Sequence, residues 1–187
     1  MPYDSQSKRS RLIEAAAALI YERGFREVTI ADIAERAQVP TGNVYYYFKA
    51  RDDIGFAVVE TRLAEIQSSF REWDALDNPK SRLIAFLNAL EANAQELAEH
   101  GCPIGSLCAE FSKTGGALAD KSRTLFIAMI DWFTTQFRAQ GSGEGARSQA
   151  LHLLSSVQGA CLLAHSQRDA SLVTGEICQL KRWIEAL

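Results

Sequence analysis

Apolar residues recur at steps of three and four along almost the whole chain, and no stretch alternates apolar with polar as a half-buried strand would. The pattern predicts an all-α protein of about nine helices. The first runs from about Ser7 to Arg23, with Leu12, Ala16, Leu19 and Ile20 as its buried stripe. Gly24 is placed to end it in the left-handed conformation, and Phe25 to pack back on its last turn. Val28-Thr29-Ile30-Ala31-Asp32-Ile33 reads as a capped helix start. Thr29 and Asp32 exchange bonds in a carboxylate capping box, and Val28 and Ile33 form a hydrophobic staple. That helix ends near Ala37. After Gln38-Val39-Pro40, a third helix covers Thr41 to Phe48, too short to persist without packing.

The third helix raises the question of function. Its sequence, TGNVYYYF, places Val44 and Phe48 four apart as an inward anchor, helped by Val39. Neighbours on a helix lie about 100° apart, so Tyr45, Tyr46 and Tyr47 fan over more than half the circumference and cannot all face one core. Thr41, Gly42, Tyr45 and Tyr46 fall on an outward face, with Asn43 and Tyr47 on its flank. Two short helices joined by a tight turn, the second presenting polar and aromatic groups, describe a helix-turn-helix. Tyrosine hydroxyls reach phosphate oxygens, their rings touch thymine methyls, and Gly42 admits a close backbone approach.

Beyond residue 51 the helices lengthen. One runs from Asp52 to about Trp73 with Phe56, Val59, Leu63, Ile66 and Phe70 in register. Asn78 caps the next and Pro79 opens it, and its stripe of Leu83, Phe86, Leu87, Leu90, Ala94 and Leu97 reaches His100. Helices at about 104–114, 118–139, 146–167 and 171–186 follow, the third set off by the loop Gly141-Ser142-Gly143-Glu144-Gly145. The division expected is a head of residues 1–51 and a second domain of residues 52–187.

Composition changes this picture little. Hydrophobic residues make up 47% and charged residues 23% of 187, the balance of a packed globular protein. The first five residues carry no apolar leader and no run approaches a bilayer span, so a cytoplasmic protein without membrane contact is expected. Cys102, Cys108, Cys161 and Cys178 are expected as free thiols. Charge adds more. The net value is −3, yet residues 1–51 hold eight Lys/Arg against six Asp/Glu, or +2, and the rest twelve against seventeen, or −5. Lys49 and Arg51 follow the tyrosine helix directly, giving the head a local positive bias.

Residues 8–55 resemble the DNA-binding head of the TetR/AcrR family of bacterial repressors. The resemblance rests on Gly24-Phe25, on Val28 to Ala34, on Val39 to Phe48, and on Arg51 followed by Asp52-Asp53-Ile54. Arg51 departs from the lysine more usual there, and either residue can hold a phosphate. The resemblance implies a repressor that binds a palindromic duplex operator as a dimer. It implies base or sugar contacts at Thr41, Gly42 and Tyr45. Backbone contacts are implied at Thr29, Tyr46, Tyr47 and Arg51, with Asn43 and Lys49 on the same surface. It also implies that the last two helices, about 146–187, pair with their copies, a reading preferred to an ordinary intramolecular core because a two-fold operator requires a two-fold protein.

The family keeps an effector site among the middle helices, here Phe111, Phe126, Met129, Trp132 and Phe133 together with Cys102 and Cys108. The segment His100-Gly101-Cys102-Pro103-Ile104-Gly105-Ser106-Leu107 is similar to a cysteine-containing subgroup that includes the repressor of N-ethylmaleimide reductase. A thiol-reactive electrophile is therefore expected beside a small-molecule effector. Buried, inert cysteine is the bland reading of the same residues. His100, Cys102 and Cys108 lack a standard zinc spacing and a fourth ligand, so no metal or cofactor is expected. No phosphate-binding glycine motif or nucleophile elbow suggests an enzyme. The alternative is a DNA-binding protein whose second domain binds a protein partner and no small effector.

Overall fold

The computed structural model describes the backbone of residues 3–187 and the side chains of residues 8–187. The reading made of residues 1–5 rests on side chains outside that range. Among the described residues there are ten α-helices and no strand. They are α1 (Tyr3–Arg23), α2 (Ile30–Arg36), α3 (Thr41–Tyr47), α4 (Arg51–Asp74), α5 (Pro79–Ala92), α6 (Ala94–His100), α7 (Pro103–Thr114), α8 (Gly116–Ala139), α9 (Ala146–Gln167) and α10 (Ser171–Ala186). None of the described helices is long and apolar enough to cross a membrane. The chain divides into two compact units, residues 1–64 with 106–124, and residues 65–105 with 125–187.

The first unit carries the short helices. Leu12, Ala16, Leu19 and Ile20 of α1 are buried, and so are Val28, Ile33, Ala34, Ala37, Val39, Val44 and Phe48. Burying a valine or phenylalanine side chain contributes about 1.5–3 kcal/mol, which is what holds seven-residue helices that would be marginal alone. The start of α2 is the expected capping box. Asp32 N–H donates to Thr29 Oγ1 (3.1 Å), and Thr29 N–H and Oγ1 donate to Asp32 Oδ2 (2.8 and 2.6 Å). Its end is a Schellman turn. Val39 N–H donates back to the Ala34 carbonyl (2.9 Å) while Gln38 takes the left-handed conformation, φ +54°. A non-glycine residue in that region costs about 1–2 kcal/mol, offset here by the Val39 and Ala37 side chains it turns inward.

In the second unit α10 packs on α9, α5 and α6, and α6 packs on α9. The core includes Leu83, Phe86, Leu87, Leu97, Phe133, Phe137, Leu153, Val157, Ile177 and Ile184. Asn78 caps α5 as expected, accepting from Ser81 N–H (2.9 Å) with Pro79 as first helical residue. The continuous helix expected from Pro79 to His100 is broken at Asn93, which separates α5 from α6. The Asn93 side chain donates to the Ala89 carbonyl (2.7 Å), and its backbone sits at φ −107°, ψ 14°. A short polar side chain bonding its own backbone competes with the helix ladder, and the apolar spacing on either side does not register that.

Candidate nucleic-acid interface

The surface begins with how α3 is held. Val44 and Phe48 are buried from behind, and Phe48 closes the helix by donating its N–H to the Val44 carbonyl (2.9 Å). With those two turned inward, geometry sends the tyrosines out. Tyr45 is 51% and Tyr46 74% exposed, among the largest exposed apolar side chains of the molecule. Tyr47 is half-buried, its ring edge-on to that of Tyr46 (centroids 5.0 Å, 88°). Thr41, Gly42 and Asn43 are exposed. A methyl added at Gly42 would meet no protein atom within 4 Å, so the fold has no use for the missing side chain. Glycine inside a helix costs about 0.5–1 kcal/mol relative to alanine. Together these groups form a ledge of hydroxyls, an amide, aromatic edges and bare backbone, which can donate to phosphates and touch base edges.

The flanking residues are more committed. The Thr29 hydroxyl and amide both serve the cap, and these two bonds hold the Asp32 carboxyl below its ordinary value of 3.8. Lys49 is exposed, its Nζ donating to the Tyr45 carbonyl (3.0 Å) at the open end of α3. Lys49 and Ala50 amides donate to Asp53 Oδ2 (2.8 and 2.9 Å), which caps α4. Arg51 is half-buried. Its guanidinium lies 4.5 Å from the centroid of the Phe25 ring and donates through Nη2 to the Phe25 carbonyl. Arg51 is thus a structural member of the head, with four further N–H donors to offer.

Phe25 leads to a residue the sequence did not single out. Gly24, at φ +86°, turns the chain at the end of α1 and leaves the next two amides without helical partners. The Glu110 carboxylate of α7 accepts both, from Phe25 N–H and Arg26 N–H at 2.7 Å each. The Phe111 ring meets Phe25 edge-on (5.0 Å, 83°), and Arg26 donates to Thr114 Oγ1 (3.3 Å). One face of α7 therefore grips the turn between the first two helices of the head. No signal in the sequence marks Glu110, since its partners lie 84 and 85 residues away.

The residues expected at the effector site come from both compact units. Phe111 and Cys108 belong to the first unit, where both are buried and Cys108 donates to the Ser122 carbonyl (3.3 Å). Phe126, Met129, Trp132, Phe133 and Cys102 belong to the second. Trp132 stacks on Phe70 (4.6 Å, 1°) and meets Phe133 (5.6 Å), which meets Phe86 (4.7 Å). The Trp132 indole donates to Asp74 Oδ1 (3.1 Å), and Asp74 also accepts from Gln136 (3.4 Å). An open groove of about 420 Å³ lies between α9 and α10, lined by small residues including Ser156, Gly159, Ala160 and Gly175. On α9, Leu162 and Leu163 are 69% and 52% exposed.

Comparison with known proteins follows this geometry closely. Residues 12–58 match the family described as bacterial regulatory proteins, tetR family, and residues 79–174 match the C-terminal domain of LmrA/YxaF-like transcriptional regulators. The transcriptional regulator AcuR of Cereibacter sphaeroides is 31% identical over 150 residues, covering 75% of this chain and 66% of AcuR. The repressor NemR of Escherichia coli is 24% identical over 118 residues, 62% of this chain and 58% of NemR. The crystal structure of a TetR-family regulator from Agrobacterium tumefaciens superposes with a TM-score of 0.84 at 22% identity, over 95% of this chain and 97% of that one. The fold is thus the same along nearly the whole length.

Proposed function

This chain belongs to the TetR family of bacterial regulatory proteins and is a DNA-binding transcriptional regulator, not an enzyme; we propose that it acts as a homodimeric repressor released from its operator by an effector taken up in the second domain. The observation that carries the reading is the tyrosine ledge of α3, pinned by Val44 and Phe48 and free of any fold-imposed role at Gly42. Residues 1–51 are assigned to DNA and residues 52–187 to the effector and the dimer. Thr41, Gly42, Asn43 and Tyr45 meet base edges or sugars. Tyr46, Tyr47, Lys49 and the remaining donors of Arg51 meet phosphates.

Regulators of this family bind DNA and usually form dimers that answer to small molecules. Two recognition helices reach successive major grooves when the half-sites lie about 34 Å apart, so a palindrome calls for a two-fold protein. Exposed Leu162 and Leu163 and the small-residue groove between α9 and α10 support pairing through residues 146–187. An effector that prefers the DNA-free state by about 1–3 kcal/mol lowers operator affinity roughly 5–150-fold.

The test is to recover fragments retained by the protein from its own genome. The expected result is a palindromic sequence whose binding is lost on Tyr45→Ala with folding unchanged. Retention of unrelated fragments, or full affinity in the variant, contradicts the assignment.

A further inference from the structure

The peptide that joins Phe25 to Arg26 is bonded at both ends to charged side chains. Its N–H, that of Arg26, donates to Glu110 Oε1 of α7 (2.7 Å). Its carbonyl, that of Phe25, accepts from Arg51 Nη2 of α4. A carboxylate and a guanidinium are thus joined through one amide. Each bond polarises the amide in the sense that strengthens the other, since a negative group at the hydrogen enriches the oxygen that the positive group meets. Hydrogen bonds with an ionised partner are also the shorter and stronger kind.

The same neighbours fix Phe25 itself. Glu110 Oε2 accepts from its N–H (2.7 Å), the Phe111 ring meets it edge-on (5.0 Å, 83°), and the Arg51 guanidinium lies over its ring at 4.5 Å. Gly55, one helical turn beyond Arg51 on α4, packs against it as well. A methyl there would fall 3.3 Å from Phe25 Cε2 and 2.8 Å from Leu118 Cδ2. The surface that Arg51 rests on, a ring and a carbonyl, is therefore one that α7 holds in place. The bond to Phe25 uses one of the five N–H groups of the guanidinium.

We propose that Glu110 is a positioning residue for DNA binding: by way of the Phe25–Arg26 peptide it sets the Arg51 guanidinium for a phosphate of the operator. A mobile arginine gives up rotamer freedom when it meets a phosphate, and one already held does not. That difference is worth roughly 2–12-fold in affinity per head. The sign of the effect is distinctive. An acidic side chain packed against a DNA-binding head repels the phosphate backbone, so its removal ordinarily tightens binding. Removal of Glu110 should instead weaken binding, because the orientation of Arg51 is lost with it. The proposal rests on the assignment of Arg51 to a phosphate made above, and adds the residue that orients it.

The test measures affinity for the selected duplex with the full chain as wild type, Glu110→Ala, Arg51→Ala and the double variant, at a temperature where melting curves show all four folded. Glu110→Ala should weaken binding about threefold or more, with Glu110→Gln between. In the Arg51→Ala background the same replacement should cause no further loss, since no guanidinium is left to orient. Equal losses in both backgrounds would mean a general loosening of the head, and tighter binding by Glu110→Ala would mean simple repulsion; either overturns the proposal. If Arg51→Ala does not fold, Arg51→Met keeps the stem on Phe25 and drops the guanidinium. The Arg51 side-chain N–H resonances of the DNA-free protein give a second reading by NMR. They should be resolved and slow to exchange in wild type, and should broaden or merge in Glu110→Ala. Unchanged resonances overturn the positioning role whatever the affinities. Full affinity in Arg51→Ala refutes the phosphate contact assigned above, and a protein that selects no duplex refutes the proposed function. In both cases the role at DNA falls, while the resonances still decide whether Glu110 orients Arg51.

Discussion

Replacing Glu110 by alanine removes both acceptors from the turn that ends α1. The Phe25 amide is partly buried and the Arg26 amide exposed, so the two losses differ. A hydrogen bond to a charged group contributes about 1.5–3 kcal/mol when sheltered, and water replaces much of the second. Glu110 itself is partly exposed, so the expected cost is near the lower end, about 2 kcal/mol. That corresponds to roughly a 30-fold loss of amide-exchange protection at Phe25 and Arg26, and about 4–8 °C in melting temperature for a chain of this size. Glu110→Gln should fall between, because its amide oxygen can accept from one amide while its NH2 group faces the other. Amide exchange followed by NMR reads the two residues directly. Protection at both changing by less than twofold in the alanine variant would mean that the carboxylate does not hold this turn.

Three further outcomes follow from individual contacts. Asp32, held below 3.8 by the hydroxyl and amide of Thr29, stabilises α2 fully above its ordinary value and loses that contribution as pH falls through the lowered native one. In urea titrations the stability gap between wild type and Asp32→Asn should therefore stay constant near neutrality and narrow only below about pH 4; a gap already closing near pH 6 refutes the cap. Leu162→Asp with Leu163→Asp should give a folded monomer in sedimentation velocity, and a persistent dimer places the interface elsewhere. Cys102 Sγ accepts from Gly105 N–H (3.3 Å) and Gln158 Nε2 (3.4 Å), bonds that favour the thiolate, so Cys102 should react with iodoacetamide at lower pH than cysteines of the unfolded chain do. Coincident pH midpoints remove the cradle of Gly105 and Gln158 from the account.

What the sequence disclosed was what is local. The capping box at Thr29 and Asp32, the burial of Val28 and Ile33 beside it, the cap at Asn78 and the inward turn of Val44 with Phe48 are all set within a few residues, and spacing reports such features directly. The break at Asn93 was hidden because Leu90, Ala94 and Leu97 keep a helical interval across it. Glu110 was invisible for another reason. A carboxylate on a helix surface looks like any solvated charge until the fold brings it to an amide turn more than eighty residues away. Cys102 could be singled out from its place before a helix, but Gln158 meets it only through the packing of α9. Nor does any spacing mark the edge-on contact that Phe111 makes with Phe25, far away along the chain.

The central claim is that α3 presents its tyrosines to duplex DNA, and equilibrium binding of the selected duplex, titrated with salt, tests it most directly. Wild-type protein should bind with log K falling linearly in log salt concentration as Lys49 and its neighbours release counterions. Tyr45→Ala with Tyr46→Ala should bind at least tenfold more weakly, with an unchanged circular dichroism spectrum and melting curve, since both side chains are exposed. Equal affinity in that variant, or a wild-type protein that holds no duplex even at low salt, contradicts the claim.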